Sequence, residues 1–282
     1  MSVTFPINSA EVDVGGFRSL ADAVHAACTT EGIDFFIVGA LARDLVLKHR
    51  HGITPGRSTR DVDIAIGVAD WAEYRRLSAR LIEAHGFQEM DRAHRLSAPG
   101  GTPLDLIPFG AIETSDRAVG WPPDEAFVMS TIGFSEVYDF SLTGIIDGAY
   151  SIRIASPPGI GVLKLLAWRD RRHTTDKDAQ DFCSVARTYI DVIGMALYEE
   201  HGDLVDEAFD EPVASARILG RDSRPILRRS DRLRAEIRRL LDEQTQDLHA
   251  SRLARAMGRR CIYEVDRRFR CLKAYLMGVT EG

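Results

Sequence analysis

The sequence predicts an α+β fold, in which a mixed sheet flanked by helices is followed by a helical domain. Two observations carry this expectation. Up to about residue 154, short apolar strand-like runs alternate with helical stripes. After Ser156 nearly every segment has helical composition. The expected division is 1–155 for the mixed half and 156–282 for the helical half.

The elements follow in order. Gly16 to Thr29 places Phe17, Leu20, Ala21, Val24 and Ala27 on one helical stripe, and Gly32 ends it. Phe35 to Val38 is a short apolar run that reads as a buried strand. Gly39 breaks the run, and Ala40 to Lys48 continues as a helix. Residues 51–59 read as a loop, rich in Gly, Pro, Ser and Thr. Asp61 to Ile66 alternates polar and apolar residues, as a strand does. Trp71 to His85 has helical periodicity and stops at Gly86. Phe87 to Phe109 reads as short strands broken at Pro99-Gly100-Gly101, and Thr131 to Ile154 as mostly strand and turn. Pro157 and Pro158 open a helix to about Arg172.

Composition narrows the function classes. The chain has 282 residues, a 45% hydrophobic fraction and a formal net charge of −6, which fits a globular protein with a sizeable core. No apolar run is long enough for a transmembrane helix. Met1 to Ala10 lacks the basic start and apolar stretch of a secretory signal. The four cysteines, Cys28, Cys183, Cys261 and Cys271, form no CxxC pair. Structural disulfides and a zinc site are therefore not expected, and a cytoplasmic location is. Residues 221–282 hold 16 Lys+Arg against 9 Asp+Glu, so an acidic front precedes a basic tail. Such a tail suits a phosphate backbone, and it equally suits a solvated arginine-rich helix face. Ser-His-Asp and Walker patterns are absent from the sequence.

The sharpest feature is Arg60-Asp61-Val62-Asp63-Ile64-Ala65-Ile66. On a strand, Asp61 and Asp63 share one face while Val62, Ile64 and Ile66 share the other. Two carboxylates so close resist joint ionisation, and a divalent cation resolves the conflict. Hard oxygen ligands suit Mg2+, which takes one or two carboxylates together with substrate phosphates. Upstream lies Phe36-Ile37-Val38-Gly39-Ala40-Leu41-Ala42-Arg43-Asp44, a strand, a glycine and then a helix. That turn aims backbone N–H groups at a phosphate. Asp-x-Asp alone also describes two solvent-facing aspartates on an edge strand. The helical half carries Lys164, Ala167, Trp168 and Arg171 on one helix face, and Asp178 and Asp181 three residues apart on another. By spacing alone, this pattern also describes an ordinary amphipathic hairpin with ion pairs.

Gly39-Ala40 followed by Asp61-Val62-Asp63 resembles the signature of the polymerase-beta-like nucleotidyltransferase superfamily. Val38 to Asp44 is similar to the head of the CCA-adding tRNA nucleotidyltransferases. Ala40 stands where those patterns have Gly or Ser, which removes one hydroxyl contact to phosphate. The resemblance implies a nucleotidyltransferase-fold sheet and a third acidic residue, for which Asp105 in Pro103-Leu104-Asp105-Leu106-Ile107 is the best candidate. It implies Mg2+, or Mn2+, held by Asp61, Asp63 and Asp105. It also implies a nucleoside triphosphate gripped by Gly39 and Ala40, while Arg43 either touches the nucleotide or, with Asp44, braces the glycine turn as an ion pair.

Lys164-x-x-Ala167, the arginines after it, and Lys177-Asp178-x-x-Asp181 resemble the AbiEii/AbiGii-type toxin branch. That resemblance implies phosphate neutralisation by Lys164, a catalytic role for Asp178 with Asp181 in support, and a cognate antitoxin as partner. The expected activity is transfer of a nucleoside monophosphate to an acceptor hydroxyl. The acceptor is open between RNA (a tRNA 3′ end included), a protein and a small molecule such as an aminoglycoside. The alternative is a catalytically inactive nucleotide- or partner-binding regulator.

Overall fold

The structure is a computed structural model that describes residues 3–54, 59–259 and 264–281. Residues 55–58 of the expected loop, and Cys261, lie outside the described residues. The chain divides into two compact units, Met1–Ser156 and Pro157–Gly282.

The first unit contains strands β1 (Thr4–Ile7), β2 (Asp34–Val38), β3 (Val62–Gly67), β4 (Gln88–Glu89) and β5 (Arg95–Ser97). They are followed by β6 (Pro103–Phe109), β7 (Ala118–Gly120), β8 (Val128–Ser130), β9 (Leu142–Ile146) and β10 (Tyr150–Ile154). Eight of them form one mixed sheet in the order β1-β9-β10-β2-β3-β6-β5-β4, while β7 and β8 form a separate hairpin. In the middle of the sheet, β2 runs antiparallel to β3, and β3 runs parallel to β6. The core includes Phe36, Ile64, Ile66 and Leu104, all fully buried. This is the mixed sheet that the alternation of apolar runs and helical stripes predicts.

Among its described residues this unit has four α-helices, α1 (Phe17–Glu31), α2 (Gly39–Leu45), α3 (Trp71–His85) and α4 (Phe134–Asp139). α1 buries the expected stripe of Phe17, Leu20, Ala21, Val24 and Ala27, and Gly32 closes it in a left-handed conformation. α3 begins at Asp70, whose carboxylate accepts the backbone N–H groups of Ala72 and Glu73 at 2.7 and 2.9 Å. The two helices pack together. At that seam Glu31 accepts hydrogen bonds from Arg76 and Arg80. α2 continues without a break into a π-helical turn, Val46–Arg50. Three features depart from expectation. β1 and the β7–β8 hairpin were not anticipated, and α4 forms where strand and turn were expected. The residues of α4 are strand-like in composition, but tertiary packing overrides propensity: Val137 is fully buried and Tyr138 meets the Phe36 ring edge-on at 5.4 Å.

The second unit is helical throughout its described residues. Its helices are α5 (Pro157–Arg171), α6 (Lys177–Ile193), α7 (Ala196–Glu199), α8 (Glu211–Leu227), α9 (Asp231–Thr245), α10 (Arg252–Ala256) and α11 (Val265–Thr280). Trp168, Phe182 and Tyr275 anchor its core, the last two meeting edge-to-face at 5.2 Å. α8 and α11 approach so closely that a Cβ on Gly220 or Gly278 would strike the other helix's backbone. The small residues are what allow the two helix backbones to touch. Among the described residues, no helix is long and apolar enough to cross a membrane. Cys28, Cys183 and Cys271 are buried thiols outside any disulfide, and burial pushes the Cys28 thiol up to about 12.

Candidate active site

The centre of the sheet brings the carboxylate pair of the sequence together with the third candidate. Val62, Ile64 and Ile66 are buried, whereas Asp61 and Asp63 are only half-buried, as the alternation requires. Asp63 lies in register with Asp105 on the parallel strand β6, and with Val38 on the antiparallel strand β2. Side chains in register on neighbouring strands project to the same face, so Asp63 and Asp105 stand side by side. Asp61 sits just ahead of β3, where its backbone N–H donates to the Thr59 hydroxyl at 3.3 Å. Asp105 is 9% exposed between the fully buried Leu104 and Leu106.

Gly39 lies directly against this acid. It follows Val38, the cross-strand partner of Asp63, and starts α2 with φ +69°. A Cβ placed there would fall on the Asp63 carboxylate, with Asp63 Cγ at 3.0 Å. Two demands therefore coincide at one position, a left-handed backbone and an empty Cβ site. Gly39→Ala is expected to displace the Asp63 carboxylate and to cost at least about tenfold in any activity that uses it. The strain would also lower stability by about 1–2 kcal/mol, which a thermal melt measures. Ala40 is half-buried in the first turn of α2, and Arg43 is buried. Arg43 forms an ion pair with Asp44 at 2.7 Å, with its Nε donating at 2.8 Å. The Arg43–Asp44 pair therefore braces the helix behind the glycine turn.

One residue that sequence reasoning did not single out completes the acidic face. Arg95 on β5 lies in register with Asp105. Its Nε donates to Oδ1 at 2.6 Å and its Nη2 to Oδ2 at 2.7 Å, a two-pronged pairing. The same Nη2 is 3.8 Å from Asp61 Oδ2. The hydrogen bonds to Asp105 hold the guanidinium above its ordinary value against desolvation, and the charges of Asp61 and Asp63 add to this. Burial pushes the neighbouring Tyr74 phenol up, and the charge of Asp105 adds to the effect. Burial holds the His94 imidazole below its ordinary range. His94 meets Trp121 at 5.5 Å and stacks on Phe127 at 5.9 Å. It belongs to an aromatic cluster with Trp71 and Tyr74.

The donor chemistry fits a hard divalent cation. Asp61, Asp63 and Asp105 offer only carboxylate oxygens, and their three charges already act on a single cationic group, the guanidinium of Arg95. Among the described residues, however, no three or more His, Cys, Asp and Glu side chains are arranged to hold a metal as they stand. Both oxygens of Asp105 point to Arg95 instead.

Lys164 and Asp178 belong to the second unit and build a cluster of their own between α5 and α6. Lys164 Nζ is 3.1 Å from Asp178 Oδ1 and 2.8 Å from Asp181 Oδ2. Arg171 Nη2 is 2.8 Å from Asp178 Oδ2. Asp178 is 2% exposed, and Lys164 and Asp181 are largely buried beside it, whereas Arg171 reaches in from the surface.

No protein-family model and no curated protein matches the sequence. Among solved structures, the chain is similar to ANT(2″)-Ia in complex with adenylyl-2″-tobramycin, at 15% identity and a TM-score of 0.34 over 60% of this chain and 86% of that one. A solution structure of the antibiotic-resistance factor ANT(2″)-Ia is similar at 14% identity and a TM-score of 0.35, over 66% of this chain and 93% of that one. The Thermotoga maritima CCA-adding enzyme complexed with tRNA is similar at 12% identity and a TM-score of 0.30, over 97% of this chain and 81% of that one.

Proposed function

We propose that the chain is a metal-dependent nucleotidyltransferase that moves a nucleoside monophosphate from a nucleoside triphosphate to an acceptor hydroxyl. One observation carries the reading. Asp63 and Asp105 stand in register on neighbouring strands, and the Gly39 turn closes directly on Asp63. A phosphate grip and a hard-oxygen donor set thus share one small region of the sheet.

Asp61, Asp63 and Asp105 would hold Mg2+ or Mn2+, which supplies charge neutralisation to the phosphates and acidifies the acceptor hydroxyl. The backbone N–H groups at Gly39 and Ala40 orient the phosphates. Asp105 accepts the proton of the acceptor hydroxyl, whose oxygen bonds to the α-phosphorus as the bond to pyrophosphate breaks. The roles of Lys164 and Asp178 in phosphate neutralisation and catalysis rest on motif resemblance alone.

For the acceptor, the surface of the second unit favours a polyanion. Arg228 and Arg229 after α8, and Arg232, Arg234, Arg238 and Arg239 on α9, are all exposed, the last three beside Asp231, Asp242 and Glu236. Their abundance supports RNA, and with it a tRNA-directed toxin neutralised by an antitoxin. The acidic, aromatic-flanked face around Asp105 supports the competing acceptor, a polycationic aminoglycoside. The test incubates the protein and Mg2+ with each α-32P-labelled triphosphate and, separately, total RNA, protein and aminoglycosides. Label in RNA establishes the RNA acceptor. Label in the aminoglycoside or protein rejects RNA, and nucleotide binding without transfer marks an inactive regulator.

A further inference from the structure

Arg95 has no part in the transfer chemistry proposed for the three carboxylates. A surface arginine that merely decorates a strand would be free to leave, but this one is built in. It sits on the neighbouring strand in register with Asp105, so the backbone pairing itself delivers the guanidinium to the carboxylate. It takes both oxygens of an acid that is nine-tenths buried, and its fork also leans towards Asp61. A buried carboxylate without a partner is costly, and three on one patch are more so. Arg95 supplies a single positive charge against the three.

The geometry points to Arg95 as an internal counter-cation, a positioning residue that holds Asp105 in the metal-free protein and releases it to an entering divalent cation. The inference rests on the metal-dependent reading above and adds a competition to it. Arg95 and the metal claim the same two oxygens, so the acidic face has two states, one closed by a guanidinium and one opened by a metal ion. Arg95 keeps the acids from repelling each other before substrate arrives. The same contact weakens metal binding to the nucleotide-free protein. The triphosphate, which brings its own oxygens to the metal, then tips the exchange.

The test is Mn2+ binding to the nucleotide-free full chain, read from the free-ion electron paramagnetic resonance signal. Arg95→Met keeps an unbranched side chain without the charge, and is expected to bind Mn2+ about tenfold more tightly than the unmodified protein. Without metal it should melt earlier, and Mn2+ should restore more of the loss than it adds to the unmodified protein. Arg95→Lys keeps the charge and loses the fork, so its affinity is expected to lie between the two. This second variant carries the test if Arg95→Met does not fold. Equal or weaker Mn2+ binding in both variants, with binding still lost in Asp63→Asn, overturns the competition and leaves the metal-dependent reading standing. No Mn2+ binding in any of the nucleotide-free proteins overturns the competition, and no Mn2+ binding with a triphosphate present overturns the metal-dependent reading as well.

Discussion

Asp63→Asn is expected to abolish nucleotide transfer, by about a thousandfold or more, while the fold survives. The exchange is nearly isosteric, so the β3 backbone keeps its pairing with β2 and β6. It removes one negative charge at the point where Asp63, Asp105 and the Gly39 turn converge. The amide is a poor ligand for a hard cation, whereas it can still fill the space against Gly39. The measurement is paired: transfer of α-32P-labelled nucleotide under saturating triphosphate, and the thermal melt of the same preparation. Unchanged melting with transfer lost is the expected result. Full activity in Asp63→Asn sinks the assignment of the metal site.

Lys164→Met is expected to act first on stability. Lys164 lies between Asp178 and Asp181, and Arg171 reaches only Asp178. Removing the lysine leaves the Asp181 carboxylate without this partner inside the α5–α6 packing. Breaking a buried ion pair from one side costs about 3–5 kcal/mol, more than an exposed pair could. The loss should appear as earlier melting of the second unit in a circular-dichroism scan. Adding Asp181→Asn should recover part of it, because the charge that faced Lys164 is then gone as well. If Lys164→Met melts like the unmodified protein and loses transfer activity, the lysine acts on phosphate directly.

Much of this architecture can be read from local patterns. α1 and α3 announce themselves by stripe and cap, and Val62 to Ile66 by alternation, because periodicity records which face is buried. The neighbouring placement of Asp63 and Asp105 is less local. Each strand is visible, but their pairing joins segments separated by α3 and depends on how the sheet is ordered. α4 escaped because its aromatic and β-branched residues favour a strand, and only contacts made elsewhere in the sequence turn them helical. Arg95 had a usable signal. The Pro99-Gly100-Gly101 turn implies a hairpin centred near Gly100, and Arg95 and Asp105 lie five residues to either side of that centre. Pairing positions across a turn exposes an ion pair that a strand-by-strand reading misses.

The order of the sheet also carries a history of its assembly. β2 and β3 pair across a short sequence distance, and β5 and β6 form a hairpin. β1 is different, because its partner is β9, Thr4 meeting Thr143 and Ile7 meeting Ile146. On a ribosome, β1 therefore emerges long before its partner exists. It must wait as an unpaired strand while β3 already has both of its partners, β2 and β6, and β2 has one of its two. Closing that long loop comes at an entropic cost that local pairings do not bear, and such contacts slow folding. The strands bearing the carboxylates can thus meet while the sheet still has an open edge, and pairing of β1 with β9 closes a scaffold whose chemistry is already laid out.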